Sequence, residues 1–117
     1  MRVLFDQGTP APLRRFLTGH EVETAYERGW SELSNGALLS VAEQAGFEIL
    51  ITTDGNLRYQ QNLSQRRIAI LVLPTTRWPE IQEHAAAVLK AVNETLRGGY
   101  RELTWQLPNR RGRWSSV

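Results

Sequence analysis

Short runs of apolar residues recur along the chain and predict the strands of a sheet. Val3–Phe5, Ile49–Ile51 and Ile68–Leu73 are continuously apolar, which is typical of strands buried on both faces. By contrast, His20–Ala25 alternates polar and apolar side chains, and this pattern predicts a half-exposed edge strand. Tyr100–Trp105 is the expected last strand, also at an edge. The sequence therefore predicts about five strands.

Helical periodicity fills the stretches between these strands. Apolar residues recur at helical spacing over 13–17 and over 38–45, with Thr9 and Ser34 as the expected N-caps of the two helices. The longest helix is expected to begin at Pro79, because proline fits the first helical position. We expect this helix to run unbroken to the glycine pair before the last strand.

The alternation of strands and helices predicts an α/β fold. We expect a mostly parallel central sheet of about five strands with helices on both faces, joined by right-handed crossovers. The chain of 117 residues has the length of one domain, which we assign to residues 1–105. Residues 106–117 are polar and rich in arginine, and we interpret them as a C-terminal tail.

Composition narrows the class of protein without identifying it. The chain has no cysteine, which excludes disulfides and thiolate metal sites and is compatible with the cytoplasm. No apolar run approaches the ~20 residues that span a bilayer, and we expect no signal peptide and no membrane partner. The net charge is +2, but Arg110, Arg111 and Arg113 in the tail supply much of the positive charge. A broad basic face for nucleic acid therefore does not follow from composition.

Two of the expected strands end in an aspartate followed closely by a glycine. Asp6 follows the first strand and Asp54 follows the third. Because the carboxyl ends of parallel strands lie along one edge, the two carboxylates converge if these strands are neighbours, roughly 5 Å apart. Paired carboxylates repel unless a cation lies between them, and a hard divalent ion such as Mg²⁺ or Mn²⁺ suits them. Such an ion activates water for attack on a phosphodiester.

Neighbouring residues extend this hypothesis. Thr52 lies two residues before Asp54, so its side chain is expected to point the same way and to orient the carboxylate. Asn35 and Glu32 are expected at the same edge, because the helix before the third strand starts there, and Glu27 follows the second strand. The alternative is that each aspartate forms a turn or caps a helix, and that Thr52 reflects ordinary strand propensity.

Six segments, taken in order, resemble a known family. They are Val3-Leu4-Phe5-Asp6, Gly19-His20-Glu21-Val22, Gly29-Trp30, Leu38-Leu39 with Ala42 and Gly46, Thr52-Thr53-Asp54, and the apolar run Ile68–Leu73. Over about residues 1–97 the chain resembles PIN-like domains, in particular compact bacterial proteins related to VapC-type toxin ribonucleases. The resemblance implies a PIN-like three-layer fold and an acidic Mg²⁺ or Mn²⁺ site for endoribonuclease activity. Such toxins commonly form homodimers and are often neutralised by an antitoxin or regulatory partner protein.

The resemblance also implies roles for particular residues, with two departures. Asp6 matches the first acid of the pattern, and Thr52 with Asp54 matches its Thr-x-Asp element. Asn35 and Asn56 stand where related chains often have acids. Each asparagine keeps an oxygen ligand but removes a negative charge, so metal affinity is expected to fall. The expected catalytic residues are Asp6, Asp54, Thr52 and Asn35.

Glu32 is the candidate for a third carboxylate. The expected ligands of the Mg²⁺ or Mn²⁺ ion are then Asp6, Asp54, Asn56 and Glu32. The depleted acidic set leaves an alternative open. In this alternative the chain is a catalytically inactive PIN-like scaffold that acts as a binding or regulatory protein.

A polar segment soon after Asp54 is the candidate substrate-binding surface. Arg58, Tyr59, Gln60 and Gln61 offer a phosphate contact, a stacking ring and amides that hydrogen-bond base edges. Single-stranded RNA is the expected partner of this segment. The alternative is a polar surface helix whose Tyr59 packs inward.

Overall fold

The computed structural model describes residues 1–60 and 62–105. In this part of the chain five strands alternate with four α-helices and one 3-10 helix. The strands are β1 Arg2–Phe5, β2 Glu21–Thr24, β3 Ile49–Thr52, β4 Ala69–Val72 and β5 Tyr100–Glu102. The helices are the 3-10 helix Ala11–Phe16, α1 Asn35–Gln44, α2 Leu57–Gln60, α3 Trp78–Glu83 and α4 Ala85–Asn93. Gln61 and the arginine-rich tail 106–117 lie outside the described residues.

The five strands form one sheet in the order β2-β1-β3-β4-β5, and every pairing between them is parallel. The predicted α/β class is confirmed, and the sheet is entirely rather than mostly parallel. The chain order reverses between β1 and β3, which pair with Phe5 opposite Ile51. In doubly wound sheets of this order, ligands bind in the crevice outside the carboxyl ends of the strands at that reversal.

Alternate strand residues enter two separate hydrophobic cores, one on each face of the sheet. Val3, Phe5 and Ile51 pack with the 3-10 helix, α3 and α4. Leu4 and Leu50 pack on the opposite face with α1 and α2. Because both faces are covered, the strands are apolar at successive positions, which explains the continuous apolar runs. The sheet and its two helical layers thus form three layers.

The helix expected after Pro79 is divided into α3 and α4 at His84, where the backbone φ of −113° and ψ of 18° leave the helical range. The His84 ring donates to the Glu80 carbonyl and stacks on Trp105 with 4.4 Å between ring centroids. The expectation of one unbroken helix is therefore wrong. β5 is also shorter than expected, since it ends at Glu102 and Trp105 packs on His84 outside the strand. Across residues 1–60 and 62–105, no helix has the length and apolarity needed to cross a membrane.

Helix α1 is held in place by contacts at both ends. The Ser34 hydroxyl accepts a hydrogen bond from a first-turn amide at 3.4 Å, so the predicted N-cap is confirmed. Gly46 follows the helix with a φ of +86°, a left-handed conformation that glycine adopts without strain. The Arg2 guanidinium donates to the Ala45 carbonyl, where the helix dipole favours a cation. These contacts determine the position of Asn35, the first residue of α1.

The Glu43 carboxylate joins the end of α1 to the start of β4. It accepts hydrogen bonds from the Arg66 guanidinium at 2.8 Å and from the Arg67 and Ile68 amides at 2.6 and 3.2 Å. Burial favours the neutral acid, but these hydrogen bonds outweigh burial, and the pKa of Glu43 lies below its ordinary value. Glu43 is therefore a structural acid whose negative charge stabilises the folded state.

We expect Glu43→Gln to lower the free energy of unfolding by about 1–3 kcal/mol at neutral pH, because the amide leaves one donor unsatisfied and weakens the contact with Arg66. The folded pKa lies below the unfolded value of 4.5. The carboxylate thus contributes stability above that value, and this contribution is lost as the pH falls through the folded pKa. Urea unfolding from neutral to acidic pH should show the two proteins converging. Glu83→Gln, at an exposed position of α3, is the control, and an equal loss in both variants would contradict the prediction.

Candidate functional site

The two aspartates follow strands that are direct neighbours in the sheet. Asp6 comes immediately after β1, and Asp54 comes two residues after β3. The Asp6 amide donates to the Ile51 carbonyl at 3.1 Å, which extends the pairing of β1 with β3 by one step. The carboxylates can converge only if strands one and three are adjacent. The pairing of β1 with β3 confirms this condition.

Thr52 connects the two aspartates through its side chain. The residue is fully buried at the end of β3. Its hydroxyl donates to Asp6 Oδ2 and accepts a hydrogen bond from the Asp54 backbone amide at 3.0 Å. A buried hydroxyl with both a donor and an acceptor partner has a fixed orientation. Thr52 therefore orients the Asp6 carboxylate, whereas we had expected it to act on Asp54.

Thr9 holds the other oxygen of Asp6. Its hydroxyl lies 2.7 Å from Asp6 Oδ1 and 2.9 Å from the Ile51 carbonyl, and both are acceptors. The expected role of Thr9 as a helix N-cap is wrong, because the 3-10 helix begins at Ala11 after Pro10 and has no side-chain cap. The signal in the sequence is a hydroxyl residue three positions after a strand-end aspartate.

Gly8 allows the chain to pass close to the third strand. A Cβ at this position would lie 2.5 Å from Thr53 Oγ1 and 3.8 Å from Asp6 Oδ1. Any side chain would therefore displace Thr53 beside the carboxylate. The glycine that follows Asp6 in the sequence thus keeps open the space next to Asp6 Oδ1.

Asp54 is held by residues on α1 and on the turn after β3. Its Oδ2 accepts a hydrogen bond from Asn35 Nδ2 at 3.0 Å, and its Oδ1 accepts one from the Asn56 backbone amide at 2.9 Å. Asn35 therefore joins the site through its side chain, whereas Asn56 joins it through its backbone. The described part of the chain has no group of three or more His, Cys, Asp or Glu residues suited to a metal ion. Glu32, which is exposed, therefore does not form a three-carboxylate site with the two aspartates.

The carboxylate oxygens of Asp6 and Asp54 are ligands of the kind that a hard divalent ion prefers. Each of the four oxygens of Asp6 and Asp54 accepts a hydrogen bond from a side chain or a backbone amide, and a carboxylate oxygen has a second lone pair. Mg²⁺ commonly binds one or two carboxylates and keeps several waters. All four hydrogen-bond donors are uncharged, so no basic side chain competes with a cation in these contacts.

The predicted substrate-binding residues lie on α2, apart from Gln61, which is outside the described residues. Tyr59 is 72% exposed, so the alternative in which its ring packs inward is wrong. The Arg58 guanidinium lies 4.6 Å from the centre of the Tyr59 ring and 3.6 Å from Glu102. The backbone of Gln60 ends the helix. An arginine and an aromatic ring therefore share one exposed surface near the end of β5.

A cleft of about 560 Å³ lies beside Asp6 at the carboxyl edge of the sheet. Glu27 lines this cleft, as its expected place after the second strand suggested, but its carboxylate pairs with Arg14 at 2.5 and 3.2 Å. Hydrogen bonds from Arg14 and from the Thr24 amide hold the pKa of Glu27 below its ordinary value. Glu27 is therefore already neutralised by an arginine, unlike Asp6.

No family model, curated protein or solved structure matches the chain.

We expect Thr52→Val to lower the free energy of unfolding by about 1–3 kcal/mol, because it leaves Asp6 Oδ2 and the Asp54 amide without their shared partner. Thr52→Ser keeps the hydroxyl and is the matched control. Chemical unfolding of the three proteins measures the difference. A valine variant as stable as the serine variant would show that the hydroxyl does not support the two aspartates.

Proposed function

We propose that the protein is a metal-dependent endoribonuclease of PIN-like type with a partly depleted acidic site. The observation that carries the proposal is the connection of Asp6 to Asp54 through Thr52 at the reversal of strand order. Ligands of doubly wound folds bind at this position. Two carboxylates with uncharged hydrogen-bond partners are suited to a Mg²⁺ or Mn²⁺ ion rather than to a structural ion pair.

Each residue of the site has a distinct task in this proposal. Asp6 and Asp54 hold the ion, which supplies an activated water and neutralises charge on the phosphodiester when it is bound. Thr9 and Thr52 orient the Asp6 carboxylate, and Asn35 orients Asp54. Single-stranded RNA is the proposed substrate. A toxin role, a homodimer and an antitoxin partner follow from the resemblance alone, and a cytoplasmic location rests on the absence of cysteine; all four stay predictions.

A PIN-like scaffold without catalysis is the second candidate. The contact between the Asn35 amide and Asp54 favours it, because this neutral donor stabilises the carboxylate without an ion. In this alternative the same cleft binds a ligand or regulatory partner, and no phosphodiester is cleaved. The two candidates differ first in whether the aspartates bind a divalent ion.

Calorimetric titration with Mn²⁺ separates the two candidates. We expect micromolar binding to the wild type that disappears in Asp54→Ala, because the substitution removes one of the two negative charges that hold the ion in this proposal. Asn35→Asp adds a third carboxylate beside Asp54, so it should bind Mn²⁺ more tightly and should unfold at a lower temperature when the ion is absent. Asn93→Asp is the control for the added charge, since Asn93 contacts His20 near the start of β2. No binding to the wild type at millimolar Mn²⁺ would favour the scaffold.

Cleavage of a labelled single-stranded RNA tests the chemistry itself. We expect the wild type to cleave in Mn²⁺, and Asp6→Asn to abolish cleavage, because the substitution keeps the side-chain shape but removes a charge that holds the ion. Glu83→Gln is purified in parallel as the control for contaminating ribonuclease. Cleavage by Asp6→Asn at the wild-type rate would exclude Asp6 from the reaction.

A further inference from the structure

The cleft beside Asp6 extends well beyond that residue. It runs along the carboxyl edge from the end of β2 to the turn after β4, where Thr24 and Thr76 line it. Its volume of about 560 Å³ is within the range of small-molecule sites. Asp6 lines the cleft, whereas Asp54 contacts Asn35 on the side of α1. The cleft therefore offers room for a group attached to whatever Asp6 binds.

Tyr26 presents an exposed aromatic ring on the wall of this cleft. The side chain is 78% exposed. Within residues 1–60 and 62–105, it makes no hydrogen bond, ring contact or ion pair. Burial in the hydrophobic core therefore does not explain this large aromatic residue.

The backbone that carries Tyr26 is nevertheless held firmly against the sheet. The Ala25 amide donates to the Phe5 carbonyl at 2.8 Å, and the Trp30 amide donates to the Ala25 carbonyl at 2.8 Å. The Gly29 amide donates to the Tyr26 carbonyl at 3.0 Å. The turn thus presents the ring from an anchored backbone one residue after the buried Ala25, so little backbone entropy is lost when a ligand binds.

The remaining wall of the cleft is suited to an uncharged planar group. Pro10 and Ala11 line the same cleft as Tyr26 and contribute apolar surface to it. The charge of Glu27 is matched by Arg14, with which it pairs at 2.5 Å. Asp6 is therefore the lining charge that lacks an ion-pair partner among the described residues. A ligand with a neutral ring at one end and a cation-bound anionic group at the other matches this arrangement.

We infer that Tyr26 is a stacking platform for a nucleobase whose phosphodiester lies at Asp6. The inference rests on the proposed function, since it places a base of the proposed RNA substrate in the cleft. Every base has a π-face, so such stacking tolerates different sequences. Tyr26 then determines where the RNA chain lies relative to the aspartates without contacting the reacting atoms.

Anisotropy of a short, fluorescent 2′-O-methyl oligouridine, which resists cleavage, measures this contact in Mn²⁺ and in EDTA. We expect Tyr26→Ala to weaken binding roughly 5- to 100-fold in both buffers, because stacking on one aromatic ring contributes about that factor. Tyr26→Phe keeps the ring and should bind as the wild type does. An oligomer of the same length without bases should bind both the wild type and Tyr26→Ala weakly and equally. Leu96→Ala is the control, since Leu96 is also 78% exposed and lies away from this cleft.

The possible results distinguish this inference from the proposed function. Equal binding of oligouridine by the wild type and Tyr26→Ala, or no binding by the wild type in either buffer, overturns the inference. If either result is found but the wild type still binds Mn²⁺ and cleaves RNA, the proposed function stands without the stacking role of Tyr26. If the wild type neither binds Mn²⁺ nor cleaves, but binds oligouridine in EDTA through Tyr26, the nuclease proposal fails and the base-stacking role stands.

Discussion

The parallel pairing of β1 with β3 is the constraint on which the candidate site depends. It brings the ends of two strands side by side where the chain order reverses, and it puts the Thr52 hydroxyl in contact with Asp6. Leu50 and Ile51 enter different cores, so a slip by one residue would exchange their environments. The same slip would turn Thr52 away from Asp6. Core packing on both faces therefore maintains the geometry of the site.

The sequence is sufficient to predict the strands and the aspartates at the ends of two of them, because apolar runs and the residues that follow them are local patterns. The adjacency of β1 and β3 is only a condition in the sequence and is shown by their pairing. The role of Thr9 is not local. A threonine before a proline has the pattern of a helix cap, and its actual partners are Asp6 and the Ile51 carbonyl, which come together only when β3 pairs with β1. The break at His84 likewise depends on Trp105, which lies beyond β5. Exposure of Tyr26 depends on which neighbours cover it and cannot be derived from periodicity.

Ion pairs with arginine distinguish the acidic residues that stabilise the fold from the acidic residues of the candidate site. Glu43 and Glu27 each bind an arginine, and the pKa of each lies below its ordinary value. The carboxylates of Asp6 and Asp54 contact two hydroxyls, one amide side chain and one backbone amide, with no ion pair in the described part of the chain. A cation at these two residues would therefore not have to displace an arginine. The absence of an arginine partner at Asp6 and Asp54 supports a cation site. This absence outweighs the small number of carboxylates, which argues against one.

The two candidate functions share most of the same surface. Stacking on Tyr26 needs an exposed ring and an anchored turn, and neither requires an ion. In the nuclease proposal, hydrolysis would need the ion as well, and Asp6 and Asp54 together would hold it. Because Asn35 donates a neutral amide to Asp54, the site can fold and keep its carboxylates oriented whether or not an ion is present. Under the proposed function, binding and cleavage are therefore separable, and the affinity of the two aspartates for the ion would determine whether a bound strand is only held or also cut.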